Sequence, residues 1–330
     1  MASSRSIKIS PSLLVLMLLP IAGYAASIAV PTATPEQICP VNANYCTCIF
    51  TGPFYTLRCI SLDDVEDFKD VVTNSTDNAA ILEVDSVEWD YLPLDVLGNS
   101  SLHTFIVANS SFAALANSSI AFVPAENLHH LSLENVTFRQ TMQWKQFSSL
   151  RNLEVMFVYN TTVPDVVNSR FSQHLSKYLK SVSISESNIS SVEIDGFKNL
   201  EKLEILRLTH GKLTTFSRNS LPKSSNLKHL RLDYNNIHSL PVGVFEDLPQ
   251  LEIVSLSNNS LSTLPQDVFG HLWKTKMHVE LRGNPLKCDC RMLWIVHSTE
   301  KPQDIIGKCA HPKRLFGKDI RDLSQEDLKC

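Results

Sequence analysis

The residues most able to do chemistry are eight cysteines in two groups of four: Cys39, Cys46, Cys48 and Cys59, then Cys288, Cys290, Cys309 and Cys330. Four thiols can hold a zinc ion or close two disulfides. Each group contains a Cys-x-Cys step, but neither has the Cys-x-x-Cys knuckle usual at structural zinc, so disulfides are expected, with three connectivities open per group. His129-His130 is the one histidine pair. Adjacent residues on a strand point to opposite faces, so these two cannot readily share a metal. Asp63-Asp64 lies in a polar stretch with no sign of a dry pocket to raise a carboxyl pKa. No Gly-x-Ser-x-Gly, His-Glu-x-x-His, Gly-x-Gly-x-x-Gly or Walker-type lysine loop is present. The expectation is no enzyme, no metal and no cofactor.

The elements that must position these residues come from a repeat. Aligned on itself, the chain shows apolar residues at positions 1, 4 and 6, a small polar residue near 9, and apolar residues at 11 and 14. Leu227, Leu230, Leu232, Asn235, Ile237 and Leu240 make the clearest copy, and Leu251, Val254, Leu256, Asn259, Leu261 and Leu264 the next. Other copies start at Ala79, Leu102, Leu128, Leu153, Leu179 and Leu203, with steps of 23 to 26 residues, and a partial copy holds Val279, Leu281, Asn284 and Leu286. Positions 4 and 6 alternate with polar neighbours, which predicts a short strand buried on one side. A lone strand of that kind cannot bury its apolar face, so successive copies must stack into a solenoid with a parallel sheet. Phe197, Phe245 and Phe269 recur where each return loop needs a large apolar filler. Asparagine at position 9 can satisfy backbone groups that the sheet does not reach. Earlier copies carry Ser110, Val136, Thr161, Ser187 and Gly211 there and are the less regular half.

This pattern resembles the extracellular leucine-rich repeat family. Stacked repeats need covers at both ends, and the two cysteine groups flank the array as the cysteine-rich caps of secreted members do. The segment Asn284-Pro285-Leu286-Lys287-Cys288-Asp289-Cys290-Arg291-Met292-Leu293-Trp294 matches the opening of a carboxyl cap. The resemblance implies an α/β leucine-rich repeat solenoid, a horseshoe with its parallel sheet on the concave face and disulfide caps at both ends. It also implies pairing of first with third and second with fourth cysteine: Cys39–Cys48, Cys46–Cys59, Cys288–Cys309 and Cys290–Cys330. The expected divisions are a signal peptide over 1–26, a linker and amino cap over 27–78, about eight repeats plus a partial one over 79–286, and a carboxyl cap over 287–330.

Export follows from the amino terminus, where Arg5 and Lys8 precede the apolar run from Leu13 to Leu19 and then small residues at Ala22, Gly23, Ala25 and Ala26. No later stretch has the ~20 apolar residues of a membrane span, so no anchor is expected. Eight Asn-x-Ser/Thr sequons, at Asn74, Asn99, Asn109, Asn117, Asn135, Asn160, Asn188 and Asn258, agree with a glycosylated extracellular surface. A formal net charge of -4 argues against a nucleic-acid partner. Charge is polarised, however: residues 61 to 95 hold eleven acids against Lys69, and residues 198 to 231 hold eight Lys or Arg against Glu201 and Glu204.

Binding is expected on the concave face, where positions 3, 5 and 7 of each strand point outward. Position 5 brings Phe157, Arg207 and Arg231; position 7 brings Tyr159 and Asp233. Aromatics and arginine dominate interface energetics. Position 8 forms the lip of that face and carries the sequon residues Asn109, Asn135, Asn160 and Asn258, but Glu186, His210 and Tyr234 in three consecutive copies. That gap between glycans is where a partner is expected to enter, touching Phe157, Tyr159, Arg207, His210, Arg231, Asp233 and Tyr234. The short mature form, irregular early copies and missing anchor resemble a secreted arthropod group that includes the non-catalytic subunit of Oplophorus luciferin 2-monooxygenase. That implies an accessory subunit binding a secreted enzyme. Alternatives are a soluble innate-immune recognition protein, or a matrix or adhesion component that takes sulfated or microbial glycans.

Overall fold

The computed structural model describes residue 39 and residues 45–75, 78–115, 124–274 and 276–330; the expected signal peptide and the sequon at Asn117 lie outside these. One sheet of twelve strands organises the chain: β1 (Cys46–Thr51), β2 (Phe54–Ile60), β3 (Ala79–Asp85), β4 (Thr104–Ala108), β5 (His130–Glu134), β6 (Val155–Tyr159), β7 (Ser181–Ser185), β8 (Ile205–Thr209), β9 (His229–Arg231), β10 (Ile253–Ser255), β11 (His278–Glu280) and β12 (Asp304–Ile306). Each strand pairs with the one before it. The first two form an antiparallel hairpin, and all later pairings are parallel. One row of register partners crosses the sheet: Arg58, Glu83, Ile106, Ser132, Phe157, Ser183, Arg207, Arg231, Ser255 and Glu280.

Burial explains that register. Leu82, Phe105, Leu131, Met156, Val182, Leu206, Leu230, Val254 and Val279 stack behind the sheet and are buried. A slip of one residue would turn every one of them to solvent. Aromatics fill the return side, with Trp144, Phe171 and Phe197 packed edge to face at centroid distances of 4.7 and 5.3 Å. In the first copies the return path is itself extended: Glu88–Tyr91, Ser111–Ala114 and Thr137–Phe138 form a three-stranded parallel sheet.

At position 9 the late asparagines act as expected. The Asn235 side chain donates to the carbonyls of Leu208 and Leu232 and accepts from the Leu213 amide, and Asn259 and Asn284 repeat the arrangement one and two copies later. In the irregular half, hydroxyls replace the amide. Ser110 accepts from Val87 N and donates to Ala108 O, and Thr161 accepts from Val136 N and donates to Tyr159 O. Gly211 has a separate cause: a Cβ there would sit 2.8 Å from Asn235 Oδ1.

Disulfides close both ends, as Cys39–Cys48, Cys46–Cys59, Cys288–Cys309 and Cys290–Cys330. At the amino end a helix over Val65–Asn74 buries Phe68, Val71 and Val72, and Asp64 caps it by accepting from the Glu66 and Asp67 amides. At the carboxyl end Trp294 packs on Trp273 and donates its indole N–H to Leu264 O.

Candidate binding site on the open face of the sheet

Parallel strands lie ~4.8 Å apart, so the side chains on the open face form columns along each strand and rows across the sheet. Phe157 and Tyr159 stand on β6, two strands from Arg207 on β8; Arg231 is the register partner of Arg207 on β9. All four are half-buried. The Tyr159 hydroxyl is raised in pKa by burial and by its hydrogen bond to Glu186.

The two arginines define the electrostatics here. Their Nε atoms are buried without a hydrogen-bond partner, and no ion pair involves either guanidinium among the described residues. Burial, and then the neighbouring Arg231 charge, lowers the pKa of Arg207. Burial, and then Arg207, lowers that of His229 on the same strand as Arg231. Nearby carboxylates are engaged elsewhere. Glu280 hydrogen-bonds His278 at 2.9 Å; burial opposes its ionisation, but that bond and the Arg231 charge keep its pKa low.

Asp233 needs correction as a binding residue. It is only 9% exposed. Its Oδ1 accepts from the Ser255 hydroxyl and, at 2.8 Å, from the Ser257 amide, so it ties β9 to the next copy rather than facing a partner.

The lip residues share a backbone state. Asn109, Asn135, Asn160, Glu186, His210, Tyr234 and Asn258 all have positive φ, between 43° and 55°. Asparagine tolerates the left-handed region better than other side chains that carry a Cβ, so these asparagines have a conformational reason besides glycosylation. They also form a ladder: Asn109 Nδ2 donates to Asp85 at 3.1 Å, Asn135 to Asn109 at 3.0 Å, and Asn160 to Asn135 at 2.9 Å. Where the ladder ends, exposed Tyr234 stacks on His210 with centroids 4.1 Å apart and rings 12° from parallel.

Two features escaped sequence reasoning. Arg58, on β2, meets the carboxylates of Glu83 and Asp85 at 3.4 and 3.7 Å. Arg218 hydrogen-bonds the carbonyls of Pro222, Lys223, Glu246 and Asp247 and so pins two return loops together. Elsewhere in the basic stretch Lys198 pairs with Asp195 and Lys228 with Glu204, and Lys202 sits 4.4 Å over the Tyr178 ring, so most of its positive charge stays unpaired. His129 and His130 part as expected, one reaching Asn152 O and the other Thr104 Oγ1. Among the described residues no group of three or more His, Cys, Asp or Glu side chains could hold a metal, and no helix is long and apolar enough to cross a membrane.

The fold is that of a leucine-rich repeat solenoid. Residues 177–237 and 225–286 match the leucine rich repeat family model. The human trophoblast glycoprotein 5T4 superposes with a TM-score of 0.58 over 90% of this chain and 100% of that one at 18% identity. A chain of the octameric complex of latrophilin 3, Unc5D and FLRT2 (LRR) superposes with a TM-score of 0.51 over 77% and 91% at 20% identity. In sequence, 76 residues are 38% identical to the peroxidasin homolog pxn-2 of Caenorhabditis elegans, covering 20% of this chain and 6% of that protein. The chain thus spans only a small fraction of that relative's length.

Proposed function

We propose that this chain is a secreted, glycosylated, non-catalytic protein that holds another extracellular protein on the concave face of its sheet. The contact surface is Phe157, Tyr159, Arg207 and Arg231, with His210 and Tyr234 at the lip. The observation that carries this reading is the arginine pair: two adjacent, partly desolvated cations that close no ion pair among the described residues, in the stretch where the lip asparagines lapse. Isolated like charges of this kind are costly within one molecule and become favourable when a partner supplies the opposite charge. The octameric complex that includes FLRT2 is an assembly of extracellular proteins, which is consistent with such a role. The partner proposed is a secreted enzyme, with this chain as its accessory subunit.

A glycan wedge tests the site. Ser183 lies between Phe157 and Arg207 in their row, and Ser183→Asn creates the sequon Asn-Ile-Ser with Ile184 and Ser185. Tagged glycosylated protein is isolated gently from its native secretion, and companions are identified by mass spectrometry. A stoichiometric enzyme companion is expected with the parent protein, reduced about tenfold or more with the wedge, since the central contacts of an interface carry most of its energy. Undiminished capture by the wedge variant moves the site off this face. A clean monomer removes the accessory-subunit role, and direct binding to cell-wall material instead makes the protein an immune recognition factor.

A further inference from the structure

We infer that Arg207 and Arg231 together receive a single carboxylate, an aspartate or glutamate side chain of the bound protein, with an apolar side chain of the same segment seated about 10 Å away against Phe157, two strand spacings across the sheet. This rests on the concave-face reading above and adds the chemistry of what is recognised there.

Three observations lead to it. The first is adjacency: the two arginines are register partners on neighbouring parallel strands, close enough for one carboxylate to touch both. The second is want of a partner. Both Nε atoms are buried and make no hydrogen bond, although the residues themselves stay partly open to solvent. Asp233 is held by Ser255 and Ser257, Glu280 by His278, and Glu204 by Lys228. The third is the narrowness of the positive patch. Along the same row the flanking residues are Ser183 and then Phe157 on one side, and Ser255 and then Glu280 on the other. A polyanionic chain such as a sulfated glycan gains by meeting several cations in succession. Here the row offers two and then turns neutral on one side and acidic on the other. One carboxylate on two guanidinium forks suits that layout, and charge-assisted Arg–carboxylate bonds are the strong ones.

The probe is the peptide Phe-Gly-Gly-Glu, whose end residues span about 10 Å when extended, blocked at its carboxyl terminus and immobilised densely on a biosensor. Phe-Gly-Gly-Gln, Phe-Gly-Gly-Lys and a heparin hexasaccharide are run beside it. The full glycosylated protein should be retained on the Glu peptide about tenfold more than on the Gln peptide, and least on the Lys peptide. Arg207→Gln with Arg231→Gln should abolish that preference, while the Arg-to-Lys pair keeps part of it by retaining the charge and losing the fork. If the double Gln variant is not secreted, each single Gln variant should lower the preference on its own. Equal retention on Glu and Gln peptides, no retention on either, or arginine-dependent retention of heparin alone would each overturn the inference. The two readings fail separately. A Glu preference combined with companion capture that Ser183→Asn does not affect sinks the protein-binding site and keeps the carboxylate site. Companion loss in that variant without a Glu preference does the reverse.

Discussion

Arg58 at the amino end of the sheet and the Arg207–Arg231 pair near its middle occupy the same row yet face opposite problems. Arg58 has Glu83 beside it on the next strand and Asp85 within 3.7 Å; the pair makes no ion pair among the described residues, and the nearest like charge of each is the other. Glu83 is buried deeply enough that its pKa is raised by desolvation even with Arg58 present. At the amino end, then, the cation serves a buried anion of the same molecule. In the middle, neither guanidinium closes an ion pair among the described residues, and the one carboxylate that feels the Arg231 charge, Glu280, is already hydrogen-bonded to His278.

Truncating each arginine should therefore separate the two roles, with the largest effect at the amino end. Arg58→Ala leaves the buried Glu83 carboxyl without the cation that favours its ionised form. A broken buried pair costs several kcal/mol, but Arg58 is 35% exposed, so about 2 kcal/mol is expected in urea unfolding at neutral pH. Arg207→Ala should stay within about 0.5 kcal/mol, because lost stem packing is offset by relief of like-charge repulsion. The pH dependence gives a second handle. A carboxyl whose folded pKa lies above its unfolded value contributes stability at pH below the unfolded value, and loses it as pH rises through the folded one. Glu83 is such a group. Removing Arg58 raises its folded pKa further, so the defect should be full at pH 7 and shrink as pH falls toward the ordinary carboxylate range near ~4.3. A defect that is constant with pH would point to lost packing of the Arg58 stem instead.

The repeat makes much of this geometry legible and hides the rest for one reason. The row through Glu83, Phe157 and Arg231 follows from periodicity alone, because burial at positions 4 and 6 leaves position 5 no other direction. The irregular half keeps the same register, since Ser110 and Thr161 supply with hydroxyls what Asn235 supplies with an amide. What sequence reading missed are bonds one period apart. Lys180 meets Glu154 across 26 residues, Lys228 meets Glu204 across 24, and Asp233 meets Ser257 across 24. Asp233 consequently looked available, and Lys228 looked like a free cation. In a solenoid, each charge has the same column of the adjacent copy as its nearest neighbour, so such pairs become visible once successive copies are laid side by side. The left-handed lip could also have been read from asparagine recurring at a single position, a signal that the coincident sequons concealed.

The lip extends the comparison at smaller energies, since its first half is a ladder of asparagines and its second half is not. Asn135→Ala removes two ladder bonds and places a Cβ-bearing residue without a polar side chain at φ 55°. About 1 kcal/mol of stability should go, with Asn135→Gly recovering part of it because glycine adopts that conformation freely. Thr137→Ala destroys the same sequon while leaving the amide in place, and should shift the electrophoretic mass with less than about 0.5 kcal/mol of change. If Thr137→Ala proves as costly as Asn135→Ala, the glycan and not the ladder stabilises this edge.

Tyr234→Asn is the mildest change and the one that bears most directly on why the second half departs from asparagine. It relieves a bulky side chain at φ 55° and forfeits the stack on His210. Left-handed strain costs an ordinary residue about 1 kcal/mol, and an aromatic stack returns roughly the same, so net stability should move by less than about 0.5 kcal/mol. Capture of the companion should nonetheless fall, because an exposed aromatic at a strained position that adds nothing to the fold is retained for contact. A clear gain in stability with capture unchanged would show the opposite: that the ladder simply lapses here, and that the partner is held by the sheet rows alone.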